Sequence, residues 1–155
     1  MPLTNAVLAR NNAAASMTVK RDRAVIVHRA SGNTVDSNPA TPDSPMIVAS
    51  VSKPVTAFAI ARLDRQSLLN VNGTRPWELM GFAPNEQWNN VTIRELLNHT
   101  SGMPVARQPW FDGDVDCSGF FPLLLAAAPE SNRNVWRYSN GNYCALGVLV
   151  EFVTP

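Results

Sequence analysis

The sequence predicts an α+β fold in which two short N-terminal strands precede a mainly helical region. Three observations lead there. Residues 13–20 and 24–29 read as strands joined by the polar Arg21-Asp22-Arg23, and the second carries the β-branched run Val25-Ile26-Val27. From about residue 51 onward, apolar residues recur at helical spacing instead. Two strands alone cannot form a stable sheet with a covered face. The chain therefore reads as one partial domain over 1–155, the first part of an α+β unit whose other strands are missing.

The elements follow in order. Ser31-Gly32-Asn33 closes the second strand with turn chemistry, and His28 at its end is assigned no role. Pro39, Pro42 and Pro45 mark an irregular approach loop rather than a domain linker. A helix is predicted over 51–69. Val51, Val55, Phe58 and Leu63 run down one side, while Ala57, Ile60 and Ala61 fill much of the rest. A helix apolar on most faces is expected to be buried. Pro54 falls in or just past its first turn, where a missing N–H costs least.

Residues 77–90 read as a loop with Trp77 and Trp88 as packing anchors. Thr92-Ile93-Arg94-Glu95 is a capping box opening a short helix over 93–98, which Gly102 and Pro104 keep short. A second short helix is predicted over 123–128, ended by Pro129. Tyr138-Ser139-Asn140-Gly141 is turn-like. Residues 142–152 form a final helix with Tyr143, Leu146, Leu149 and Val150 on one face.

Composition excludes several classes. The 155 residues are 45% hydrophobic and 16% charged, which is not the composition of a disordered tail. A net charge of +1 gives no electrostatic case for nucleic acid or an acidic membrane surface. No apolar run approaches the ~20 residues of a membrane span. The amino end lacks a basic stretch ahead of an apolar one, so no signal peptide is read there. Cys117 and Cys144 are too few for a disulfide-built scaffold or a four-cysteine zinc site, and the reading favours unpaired thiols over one disulfide. No glycine-rich phosphate loop is present, and two histidines without carboxylate spacing make no zinc site, so no cofactor is expected. Asp112-Gly113-Asp114-Val115-Asp116 opens like a calcium loop. An EF-hand would need Gly at Cys117 and Glu at Leu123, so a solvated acidic loop is the better reading. Trp110 and Phe111 beside it could contact a substrate or anchor the core.

Chemistry concentrates in three places. The first is Ser50-Val51-Ser52-Lys53 at a helix start. There the macrodipole favours a developing alkoxide, and a residue three positions on lies one turn up the same face. Ser-x-x-Lys alone is a weak signal. Here it uses one of only two lysines, Lys20 and Lys53, in a chain that otherwise writes Arg. Arg could not replace Lys53 in proton transfer, because it keeps its proton. The bland alternative makes Ser50 an N-cap and Lys53 a solvated first-turn side chain. The second place is Tyr138-Ser139-Asn140. A tyrosine near cations can act as a base, and an asparagine offers a donor and an acceptor to an amide. The third is Leu96-Leu97-Asn98-His99-Thr100-Ser101-Gly102, a helix stop in which His99 reads as a structural, hydrogen-bonded histidine.

In this order and with these gaps, the three motifs resemble the serine β-lactamase and penicillin-binding-protein superfamily. Class C-type β-lactamases, D-Ala-D-Ala carboxypeptidases and related esterases are the nearest in look. The resemblance runs from about Ala13 to the last residue. It implies a β-lactamase/transpeptidase-like fold. It also implies Ser50 as acylated nucleophile, Lys53 assisting its deprotonation, Tyr138 as general base and acid, and Asn140 holding the substrate amide. Ser52 and Ser139 would be spacers. The substrate would be a cell-wall D-Ala-D-Ala peptide, a β-lactam or an ester, in a cell-envelope-facing or virion-associated setting.

The family pattern continues past Pro155. Its third motif, Lys-Thr-Gly or His-x-Gly, lies on a sheet strand that also supplies one oxyanion N–H, and nothing after Tyr138 takes that part. Loss of one oxyanion donor typically removes ~10²–10³ in rate. The expectation is a hydrolase module completed by a missing C-terminal part or a second polypeptide. The competing reading is a non-catalytic structural or cell-wall-binding component of a larger assembly, such as a bacteriophage tail or surface complex. The truncation favours that reading; the intact Ser50, Lys53, Tyr138 and Asn140 oppose it.

Overall fold

A computed structural model of the protein describes residues 14–105 and 116–154. They divide into two compact units, with the boundary between Val48 and Ala49.

The first unit is built on an antiparallel hairpin of β1 (Ala15–Arg21) and β2 (Ala24–Ser31). Asp22 turns the chain at φ 53°, in the left-handed region that short polar side chains tolerate. The ladder pairs Val19 with Val27, and a bulge follows Val19. Thr18 and His28 face each other, with Thr18 Oγ1 3.0 Å from His28 Nδ1. These two strands are the whole sheet among the described residues.

The second unit is helical. The 3₁₀ turn Ala49–Val51 leads into α1 (Ser52–Arg65). Then come α2 (Pro76–Leu79), a 3₁₀ turn Glu86–Trp88, α3 (Ile93–Leu97), α4 (Cys117–Ala126) and α5 (Asn140–Val153). The core joins Ile60 and Leu63 of α1 to Ile93 and Leu96 of α3, Phe120 and Leu124 of α4, and Leu146 and Leu149 of α5. Burial of each such side chain contributes about 1.5–3 kcal/mol. Trp77 and Trp88 are completely buried, as their anchoring role predicts, and Trp77 Nε1 donates to the Trp88 carbonyl at 2.6 Å. No described helix is long and apolar enough to cross a membrane.

Several expectations are corrected. The first helix ends at Arg65, where Ser67 takes φ 58° and the Leu68 N–H reaches back to the Leu63 carbonyl. It is not buried all round. Val51, Val55 and Phe58 are each about 70% exposed, and only the Ile60–Leu63 side meets the core. Sequence periodicity locates an apolar face but does not show what covers it. The stretch 77–90 contains a turn of helix, begun by Pro76 at a position where its missing N–H is harmless. α4 starts six residues earlier than the apolar run suggests, because Asp116 caps it by accepting from the Gly119 N–H and Pro122 is carried inside the helix. Finally, Cys117 and Cys144 form a disulfide between the packed helices α4 and α5, with Cα atoms 5.2 Å apart. A 27-residue separation in sequence gave no hint of that juxtaposition.

Candidate active site

Ser50 sits in the turn that delivers α1. Ala49 before it takes φ 44°, an uncommon conformation for a residue with a Cβ. The helix cap is Val51, which makes no side-chain capping bond. Ser52 spends its hydroxyl on the Ala49 carbonyl at 2.8 Å. The Ser50 hydroxyl is thus not a cap. It lies 3.1 Å from Lys53 Nζ, one turn up the helix, and 2.7 Å from Tyr138 Oη. Pro54 follows in the first turn, where helix N–H groups lack intrahelical partners.

The facing wall is the N-terminus of α5. Ser139 is its cap and is fully buried. Its hydroxyl accepts from the Gly141 N–H and donates to the Pro104 carbonyl. Gly141 packs so tightly that an added Cβ would lie 2.8 Å from that same carbonyl and 2.9 Å from Leu124 Cδ2. These contacts fix the start of α5, and with it Asn140, whose Oδ1 accepts from Lys53 Nζ at 2.8 Å. Ser139 is therefore the anchor between Tyr138 and Asn140, not the spacer the motif suggests.

The third wall grows from α3. Its capping box is complete, with Glu95 Oε2 accepting from the Thr92 N–H. Glu95 also pairs with Arg133 at 2.7 Å, tying the segment ahead of Tyr138 to this helix. α3 ends as His99 turns left-handed at φ 58°. The carbonyls of His99 and Thr100 then accept from the N–H groups of Arg137 and Asn134, both at 2.8 Å. The His99 ring lies against Tyr138 and Tyr143, with centroids 4.6 and 5.2 Å apart. Its Nδ1 accepts from the Ser139 N–H and lies 3.2 Å from Asn142 Nδ2.

The electrostatics differ sharply between the two tyrosines. Hydrogen bonding to Lys53, and next to Ser50, holds the Tyr138 phenol below its ordinary value of 10.0. Burial, with a smaller effect from Tyr138, pushes Tyr143 above it. Burial first, and the Lys53 charge second, lower His99 from 6.5. Environments that separate the pKa values of neighbouring groups are what acid–base chemistry requires. Lys53 Nζ also lies 5.0 Å from the Tyr138 ring centroid, within cation–π range. Together the groups form a chain in which Lys53 Nζ donates to the Ser50 oxygen, and the Ser50 and Tyr138 hydroxyls share a hydrogen bond. Ser50, Tyr138 and Asn140 are exposed. A pocket of about 300 Å³ adjoins them, lined by Lys53, Thr56, Asn140, Tyr143 and the Cys117–Cys144 disulfide.

The structure brings Ser50, Lys53, Tyr138 and Asn140 to one place. Sequence reasoning missed Tyr143, Asn142 and the buried Ser139, and gave His99 no partner. Tyr143 and Asn142 lie one turn or less past Asn140 on the same helix, which was the signal available. Trp110, Phe111 and residues 112–115 of the acidic loop lie outside the described residues. Among the described residues no group of three or more His, Cys, Asp or Glu could hold a metal.

Comparison with known proteins agrees in family and fold. The Beta-lactamase family model matches residues 4–155. Penicillin-binding protein 4* of Bacillus subtilis (strain 168) is 32% identical over 139 residues, covering 82% of this chain and 30% of that protein. The crystal structure of FmtA from Staphylococcus aureus superposes with a TM-score of 0.76 at 17% identity, over 90% of this chain and 39% of that one. A penicillin-binding protein from Bacillus halodurans gives 0.66 at 26% identity, over 90% and 44%. The chain thus spans less than half the length of each of these relatives.

Proposed function

The chain belongs to the β-lactamase family, and from that premise we propose that it carries the nucleophile half of a serine acyl-enzyme hydrolase. Ser50 is the nucleophile and Tyr138 the base. Lys53 orients the Ser50 oxygen and offsets charge, and Asn140 holds Lys53 and meets the substrate amide. The observation that carries this reading is the position of the Ser50 hydroxyl, 2.7 Å from Tyr138 Oη and 3.1 Å from Lys53 Nζ.

The Ser50 oxygen attacks the carbonyl carbon of an amide, β-lactam or ester, and its proton passes to the ionised Tyr138 oxygen, which becomes a neutral phenol. The carbonyl reforms as the bond to the leaving nitrogen or oxygen breaks, and Tyr138 returns the proton to the leaving group. Water then attacks the acyl ester, giving its proton to Tyr138. Ser50 departs and takes that proton from Tyr138, which is left ionised again. Two relatives are named for binding penicillin, which supports a β-lactam among the carbonyl compounds that Ser50 attacks. Acyl transfer of this kind also calls for N–H donors aimed at the oxyanion that forms on the carbonyl.

Fluorescent penicillin tests the reading. It should label the native protein and fail on Ser50→Ala. Labelling that survives Ser50→Ala removes Ser50 from the mechanism. A protein that is never labelled, by a β-lactam or by an activated ester, fits the structural or cell-wall-binding alternative.

A further inference from the structure

We propose that His99, read from sequence as a structural residue, is the positioning residue for the Tyr138 base, acting as a neutral imidazole protonated on Nε2. Its protonation would release the base and switch acylation off in acid. The inference rests on the acyl-enzyme reading for its kinetic consequence, but not for its structural content.

The tautomer follows from the bonding. The Ser139 backbone N–H lies 3.2 Å from His99 Nδ1. A backbone N–H can only donate, so Nδ1 must keep its lone pair and the ring proton must sit on Nε2. Asn142 agrees with this. Its Oδ1 accepts from the Ser101 hydroxyl, which turns Nδ2 toward the same imidazole nitrogen at 3.2 Å. Ser139 and Asn142 are 0% and 1% exposed, so neither group has solvent as a substitute partner.

The leverage on Tyr138 is direct. The Ser139 N–H belongs to the peptide that follows Tyr138. The His99 carbonyl accepts from the Arg137 N–H, on the other side of the same tyrosine, at 2.8 Å. The His99 ring then packs on the Tyr138 ring at 4.6 Å. One residue thus holds the peptide that follows the base, the N–H of the residue before it, and the face of its ring. Tyr138 itself is 40% exposed, with its hydroxyl 2.7 Å from Ser50 and its ring also met by Lys53 Nζ.

Protonation at Nδ1 would set an N–H against the Ser139 N–H and add a cation beside Lys53. The titratable groups facing the imidazole are Lys53 from α1, Tyr138 from the approach to α5 and Tyr143 from α5. Glu95, on the helix that His99 terminates, is committed to the Thr92 N–H and to Arg133. Burial and the Lys53 charge both favour the neutral ring, which places the acid limb below 6.5.

The experiment compares native protein with His99→Phe and His99→Asn, all full chain. Acylation by a fluorescent penicillin is followed across pH, and imidazole ¹⁵N–¹H correlation spectra are recorded on the native protein. Phe keeps the ring contact without an acceptor. Asn keeps an acceptor near Nδ1, tolerates the left-handed backbone and cannot titrate. His99→Phe should lower the acylation rate constant about tenfold with little change in half-saturation, less than the ~10²–10⁴ that a base supplies. His99→Asn should restore most of that loss and remove the part of the acid limb that His99 sets, leaving the part due to protonation of Tyr138 itself. Wild-type rates in His99→Phe, or an unchanged acid limb in His99→Asn, overturn the proposal. The spectra read it without turnover. An Nε2–H tautomer supports it even if no penicillin reacts, whereas an Nδ1–H tautomer overturns it whatever the kinetics show.

Discussion

Ser50 Oγ and Tyr138 Oη lie 2.7 Å apart, although 88 residues separate them in sequence. The contact needs two independent placements. A left-handed Ala49 and a serine-free cap on α1 direct one hydroxyl outward. A buried Ser139 and the His99 ring hold the other in place. Neither hydroxyl contributes to the core, so the juxtaposition concerns chemistry rather than stability.

Tyr138→Phe removes the oxygen that takes the Ser50 proton and leaves the ring contact with His99 in place. It should slow acylation by ~10²–10⁴. Its thermal midpoint should stay near that of the native protein, because the phenol is exposed. Stopped-flow labelling together with a melting curve separates the two effects. A slow variant that also melts early would point to misfolding.

Lys53→Met should move the tyrosine titration. In the native protein the Tyr138 phenolate forms below pH 10.0, since hydrogen bonding to Lys53 and Ser50 favours the ionised form. Tyr143 ionises above 10.0. Ultraviolet titration should resolve an early and a late tyrosine step. Losing Lys53 should carry the early step upward toward 10.0. A native protein whose two tyrosines titrate together would contradict the electrostatic account.

Gly141→Ala should destabilise the protein through packing. The added methyl meets the Pro104 carbonyl at 2.8 Å and Met103 Cγ at 3.0 Å, and the backbone oxygen cannot move aside cheaply. The cost should be about 1–3 kcal/mol by denaturant unfolding. Because the strain falls on the start of α5, acylation should also slow.

The Cys117–Cys144 bridge closes a 27-residue separation, for which chain entropy gives a stabilisation of about 3.5 kcal/mol. Replacing both cysteines by Ser should lower the unfolding free energy by a comparable amount. Thiol titration of the denatured, unreduced native protein should find none contributed by these two residues. Two reactive thiols there would contradict the pairing.

Legibility from sequence varied with the range of the interaction. Local signals held. The Thr92–Glu95 capping box is present with both bonds, and Ser50 and Lys53 share a helix face because three residues make nearly a turn. Tyr138 and Asn140 joined them only through a family resemblance, since nothing local brings residue 138 to residue 50. The disulfide was hidden for a similar reason. Asp116 starts α4 early and sets Cys117 beside α5, and the apolar run beginning at Leu123 obscured that start. Ser139 looked like filler because its hydroxyl bonds to Pro104, 35 residues away. The exposed Val51, Val55 and Phe58 failed the burial expectation because covering a face is a property of the partner element.

The central claim is that Ser50 forms a covalent acyl intermediate. Intact-mass measurement of the native protein before and after incubation with a β-lactam, followed by peptide mapping, tests it directly. The account predicts a stoichiometric adduct located on Ser50 and absent from Ser50→Ala. An unmodified mass under conditions where the protein is folded, or an adduct on another residue, would contradict it.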